Sequence, residues 1–135
     1  LRTKKYPLAA LEYDEEKNIL YFRVAQDQIV DVAEITEMIE YVKEFLGEKE
    51  HYAVVDFGGS LSSSGEARAI YAASDYIQKY RMADAFLVKS LAVRLVANFF
   101  INVNRPKVNT KLFTDEDAAV KWLQGLQKKK KDKVK

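Results

Sequence analysis

Tyr52-Ala53-Val54-Val55-Asp56-Phe57 is an almost unbroken apolar run, with turn-forming Gly47 before it and Gly58-Gly59 after it. A strand of that composition is covered on both faces, and the usual cover is a layer of helices on each side of a parallel sheet. Ala85-Phe86-Leu87-Val88 is a second run of the same kind. Together they leave little room for a helical bundle or an all-β sandwich.

The segments between these runs have helical periodicity. Val32, Ile35, Ile39, Val42 and Leu46 recur on one face, Glu34, Glu37, Glu40 and Glu44 on the other. Asp31, with Glu34 three residues on, predicts an Asp variant of the capping box, and Gly47 a stop. A second helix is predicted from about Ser64 to Arg81, with Ala67, Ile70, Tyr71, Ser74 and Ile77 inward. A third, from Leu91 to about Asn102, is apolar nearly all round and is expected to be well buried. After Pro106, Lys111-Leu112-Phe113 reads as a short strand. Thr114-Asp115-Glu116-Asp117 then opens a last helix whose inner face is Ala119, Trp122, Leu123 and Leu126.

Upstream, Leu8–Tyr13 and Ile19–Val24 flank a charged turn and predict a hairpin. The order ββ-α-β-α-β-α-β-α predicts one α/β domain over residues 1–127. Its central sheet is mostly parallel, with about five strands and about four helices. The length of 135 residues, 48% of them apolar, suits a single core.

Zero cysteines exclude disulfides, thiol catalysis and cysteine-held metal, and a single histidine argues against histidine metal sites and Ser–His–Asp hydrolysis. His51 follows a charged turn and is expected to be exposed and without a role. Residues 128–135 hold six lysines and one aspartate, whereas residues 1–127 hold 16 cations against 19 acids. The lysine run is expected to be a disordered tail, and without interleaved aromatics it indicates no specific nucleic-acid partner. No apolar run is long enough for a membrane span and no signal-peptide pattern opens the sequence, so the expectation is a cytoplasmic protein.

Two segments carry a resemblance. Val54-Val55-Asp56-Phe57 followed by Ser62-Ser63-Ser64-Gly65 is similar to the strand and Asp-Ser-Ser-Gly helix start of anti-sigma-factor antagonists. Asn98-Phe99-Phe100 through Pro106 to Phe113-Thr114-Asp115-Glu116, running into Ala119-Val120-Lys121-Trp122-Leu123, resembles the C-terminal half of small bacterial SpoIIAA-like proteins. The sequence over about residues 8–126 thus resembles the SpoIIAA-like branch of the STAS fold, which has SEC14-like relatives. The resemblance implies a phospho-acceptor at Ser63, with Ser62 standing where the antagonists carry aspartate.

The polar residues leave alternatives open. Ser62, Ser63, Ser64 and Gly65 form either an anion-binding or phosphorylated loop, or a helix start in which Ser63 caps and Glu66 completes a capping box. Arg94, Asn98 and Asn102, four apart, either line a polar cleft with Asp56 and Arg68 or form a solvated face. Asp56 is a sheet-edge carboxylate that either serves a site or caps a nearby backbone group. Tyr71, Tyr76 and Tyr80 roof a core or a dimer contact, and Trp122 anchors the core. Gly58-Gly59 lacks the spacing of a dinucleotide or phosphate loop. With no converging acid–base pair, we expect no enzyme, cofactor or metal. The first expectation is a regulatory module for an unidentified protein partner, or for a second copy of the chain. The alternative is a small-ligand or lipid-binding domain of SEC14-like type.

Overall fold

The structure, a computed structural model, describes residues 1–134. A six-stranded sheet has the order β1-β2-β3-β5-β7-β8, formed by β1 (Arg2–Lys5), β2 (Ala9–Asp14), β3 (Ile19–Val24), β5 (His51–Asp56), β7 (Arg81–Leu87) and β8 (Asn109–Phe113). The first three strands are antiparallel and the rest parallel. β4 (Gln28–Val30) and β6 (Ser60–Ser63) make a separate parallel pair. The helices are α1 (Val32–Leu46), α2 (Gly65–Ala73), α3 (Asp75–Tyr80), α4 (Leu91–Phe99) and α5 (Glu116–Val134), with a π-helical turn at Phe100–Asn104 after α4.

The mostly parallel α/β sheet with an antiparallel start agrees with expectation, but this central sheet has six strands rather than about five, and the described residues form five α-helices rather than about four. The additional strand is β1, whose Arg2, Thr3, Lys4 and Lys5 are all exposed. It carries no apolar alternation to betray it, and its cations suit an edge that must not recruit another chain. The single helix expected from Ser64 to Arg81 is two. Ser74 takes an extended backbone (φ −62°, ψ 118°), and its hydroxyl accepts from the Ile77 amide to start α3.

β5 is the covered strand that its composition demands. Ala53 and Val55 face α1, α2 and α4, while Tyr52 and Val54 face α5. β3 and β7 alternate in the same way, so the sheet has two separate apolar faces. The α1 capping box forms as expected: the Asp31 carboxylate accepts from the helix start, and Glu34 accepts from the Asp31 amide at 3.0 Å. Met38, Ile39, Tyr41, Val42 and Leu46 form the buried face of α1; the aliphatic side chains and Met38 each gain roughly 1.5–3 kcal/mol from leaving water.

The lysine run, expected to be a disordered tail, is helical as far as Val134, and Lys135 lies outside the described residues. Lysine and glutamine favour helix, and cations suit its C-terminal end. The Gln127 side chain also ties α5 to the β2–β3 turn by donating to the Lys17 carbonyl at 2.7 Å. No helix among the described residues is long and apolar enough to cross a membrane.

Candidate functional site

A largely apolar cavity of about 320 Å³ opens between the sheet and the helices on the α1, α2 and α4 side. The sheet contributes Phe22, Val55 and Phe86, α1 contributes Met38 and Val42, and α4 contributes Val93, Val96 and Ala97. Ser62 and Ala92 line it and are exposed, so the mouth lies between β6 and α4. Gly59 sets this geometry. A Cβ there would fall 2.4 Å from the Val24 and Ala25 carbonyl oxygens, so only glycine lets the β6 approach pass this close to the end of β3.

Two arginines reach the cavity in opposite electrostatic states. Arg81 is buried with its charge matched: it donates to the Asp84 carboxylate, to the Tyr71 hydroxyl at 2.9 Å, and to His51 Nε2 at 2.9 Å. Tyr71 donates to the other Asp84 oxygen at 2.6 Å, and burial pushes its phenol well above the ordinary value. Arg68 has no acidic partner among the described residues. It donates to the Ser63 carbonyl at 2.6 Å and to the Ser63 hydroxyl at 3.0 Å, and its guanidinium carbon lies 5.5 Å from the centre of the Phe99 ring. Its Nε is buried without a hydrogen-bond partner. An unmatched guanidinium beside an apolar cavity favours an anion that brings its own apolar body.

His51 corrects the expectation of an exposed, idle side chain, since it is fully buried. A register shift between His51 and Tyr52, where β5 pairs with β7, sets His51 opposite Arg81. Nε2 accepts from Arg81 while Nδ1 meets the Lys49 carbonyl at 2.9 Å, an arrangement that fits the neutral tautomer protonated on Nδ1. Burial and then the charge of Arg81 push its pKa down to about 3. The charged Gly-Glu-Lys-Glu turn masked the fact that His51 begins the covered strand.

The serine segment is a strand leading into a helix rather than a free loop. Ser64, not Ser63, caps α2, accepting from the Ala67 amide at 3.0 Å and donating to Asp31 at 2.8 Å. The cap therefore lies one residue later than expected, and the Ser63–Glu66 capping box does not form: the residue three on from Ser64 is Ala67, which has no side-chain acceptor to complete one. Hydrogen bonds from Ser64 and from the Val32 amide hold the Asp31 carboxyl below its ordinary value. Ser63 is half-buried against Arg68, whereas Ser62 and Gly65 are exposed.

Asp56 caps the turn, accepting from the Gly58 amide at 2.9 Å, and it pairs with Arg23 at 3.2 Å. Arg23 also pairs with Glu12 and Glu116, and these ion pairs outweigh burial and raise its pKa. Arg94 and Asn98 are exposed on α4 and, like Asp56, are not among the residues lining the cavity, whereas Arg68 is. No group of three or more potential metal ligands occurs among the described residues.

The expectation of a well-buried third helix is also corrected. In α4 only Ala97 is buried, while Leu91, Leu95 and Phe99 are 68%, 61% and 51% exposed. One face of the helix lines the cavity and another projects apolar side chains outward. Composition alone does not separate that arrangement from full burial.

Among solved structures, the chain is similar to an uncharacterised protein of the DUF3478 family with a SpoIIAA-like fold from Shewanella loihica PV-4. Identity is 18%, coverage 85% of this chain and 91% of that one, and the TM-score 0.58. This likeness establishes the SpoIIAA-like fold and extends no further. A protein of unknown function from Arthrobacter sp. FB24 aligns at 24% identity over 89% of this chain and 96% of that one, with a TM-score of 0.32. No curated protein matches the sequence. The family model for the domain of unknown function DUF7793 matches residues 13–127, and the chain belongs to that family.

Proposed function

We propose that the protein binds a small amphiphile, with an apolar chain in the cavity and an anionic head on Arg68. The observation that carries this reading is the unmatched Arg68 guanidinium on the wall of a largely apolar cavity of about 320 Å³, whose other arginine, Arg81, is already paired with Asp84. Ligand pockets span roughly 300–1,000 Å³, so this one suits a single slender chain. Burying about ten methylenes gains about 8 kcal/mol. A charge-assisted contact to Arg68 adds about 2 kcal/mol, against at least about 4 kcal/mol of lost freedom. The balance is at most about 6 kcal/mol, a dissociation constant on the order of tens of micromolar at the tightest.

A phosphorylated serine segment has less to support it. The hydroxyls of Ser63 and Ser64 are already engaged, and a phosphate on Ser64 would meet the Asp31 carboxylate.

Titrating the protein with dodecanoate and with dodecanol tests the proposal. Wild type is expected to prefer the acid by at least about tenfold, the size of a charge-assisted contact. Arg68→Met is expected to bind the two alike. Absence of binding by either compound, or an unchanged preference for the acid in Arg68→Met, overturns the reading.

A further inference from the structure

The described residues expose seven large apolar side chains, and four of them, Leu91, Leu95, Phe99 and Val103, lie four residues apart along α4 and its π-helical continuation. Val103 is 59% exposed. Elsewhere such side chains are scattered singly, which is ordinary for a soluble surface; a ridge of four is not.

The charge around this ridge is one-sided. Residues 85–114 contain no aspartate or glutamate, although the chain has 20 acids. Lys89 and Arg94 are exposed at the start and middle of the ridge, and Arg105 and Lys107 at its end. None of the four forms an ion pair among the described residues. Over residues 1–127 acids outnumber cations, so this edge is set apart from the body by sign as well as by polarity.

We infer that α4 is a docking edge for an anionic lipid bilayer. The ridge enters the headgroup boundary, and the flanking cations meet lipid phosphates. Amphipathic helices with exposed aromatic and aliphatic side chains beside Lys and Arg bind bilayers in this way, and anionic lipid strengthens the attachment. The occupant follows from the charge: a bilayer supplies a broad apolar layer beneath a dense negative surface, and the edge presents the complement of both. Docking here brings the bilayer to the mouth of the cavity, because Phe99 is both part of the ridge and the ring beneath the Arg68 guanidinium. The inference goes beyond the amphiphile reading and does not depend on it.

Co-sedimentation with vesicles tests it, using equal parts phosphatidylglycerol and phosphatidylcholine against phosphatidylcholine alone. Wild type is expected to pellet with the anionic vesicles, to weaken as salt is raised, and to remain largely in solution with the neutral ones. Leu91→Glu/Leu95→Glu changes two exposed side chains, so the fold is retained. It is expected to lose at least about tenfold in vesicle affinity, from burying two leucines in the headgroup boundary. Replacing Lys128, Lys129, Lys130 and Lys131 by glutamine is expected to leave most of the binding intact. Wild type that ignores anionic vesicles overturns the inference. So does binding that survives the leucine substitutions but is lost with the lysines, or a dimer that Leu95→Glu converts to a monomer. Dodecanoate binding measured without vesicles reports on the cavity alone, so failure of one proposal is distinguishable from failure of the other.

Discussion

The two faces of the sheet are built on opposite principles. One is closed by a single helix, α5, whose Ala119 and Leu123 are fully buried against Ile19, Val54, Ala83, Ala85 and Leu87. The other is covered by α1 to α4, and its helices leave a cavity with a network of buried charge at its edge. Small residues explain the difference. Ala83, Ala85 and Ala119 let α5 settle directly onto the sheet, whereas the short helices α2 and α4 come from separate connections and meet above the sheet without filling the space. A face packed to density resists change, and one that holds a void has room for it.

The largest expected effect is on the polar network. Asp84→Ala strands Arg81 in the interior and is expected to cost about 3–5 kcal/mol, read by denaturant unfolding. A loss near zero would mean that water already serves the guanidinium there.

Enlarging one alanine on each face tests the comparison directly. Ala119→Leu overfills the dense face and is expected to cost about 1–3 kcal/mol. Ala97→Leu grows into the cavity and is expected to change stability by less than about 0.5 kcal/mol, or to raise it. Equal losses at the two sites would remove the distinction between the faces.

Acid sharpens the contrast further. His51 is neutral in the fold, with its pKa pushed down to about 3, whereas in the unfolded chain it titrates at the ordinary value of about 6.5. Between those values the unfolded state binds the additional proton, so stability falls as pH falls. From pH 7 to pH 5.5 the loss is about 1 kcal/mol, before most carboxylates titrate. His51→Gln is expected to flatten that slope in urea titrations at the two pH values.

The smallest effect belongs to the end of α5. Replacing Lys128 and Lys129, both exposed, by glutamine is expected to move stability by less than about 0.5 kcal/mol, because neither side chain pairs with an acid among the described residues.

The elements legible in the sequence are those whose local signals agree with their tertiary role. The Asp31–Glu34 capping box, the covered strand over the shared residues 52–56 and the inner face of α5 all satisfy that condition. β1 was hidden because an edge strand of cations has no alternating apolar pattern, and β6 because Ser60–Ser63 reads as a turn until β4 supplies its partner. The serine cap was misplaced by one residue, since Ser63 and Ser64 are chemically alike and only backbone geometry distinguishes them. Arg68 stood out as a residue, but neither its unmatched charge nor the cavity beside it could be read before the helices were placed. A void is a property of packing among elements distant in sequence, and no local pattern records it.

Calorimetric titration of dodecanoate into wild type and Ala97→Phe, without vesicles, addresses the central claim most directly. Saturable binding of one molecule per chain is expected, with the negative heat-capacity change that burial of apolar surface brings. Ala97→Phe is expected to lose that binding while its thermal unfolding remains cooperative. Binding of equal strength in the filled variant, or none in wild type, would contradict the claim.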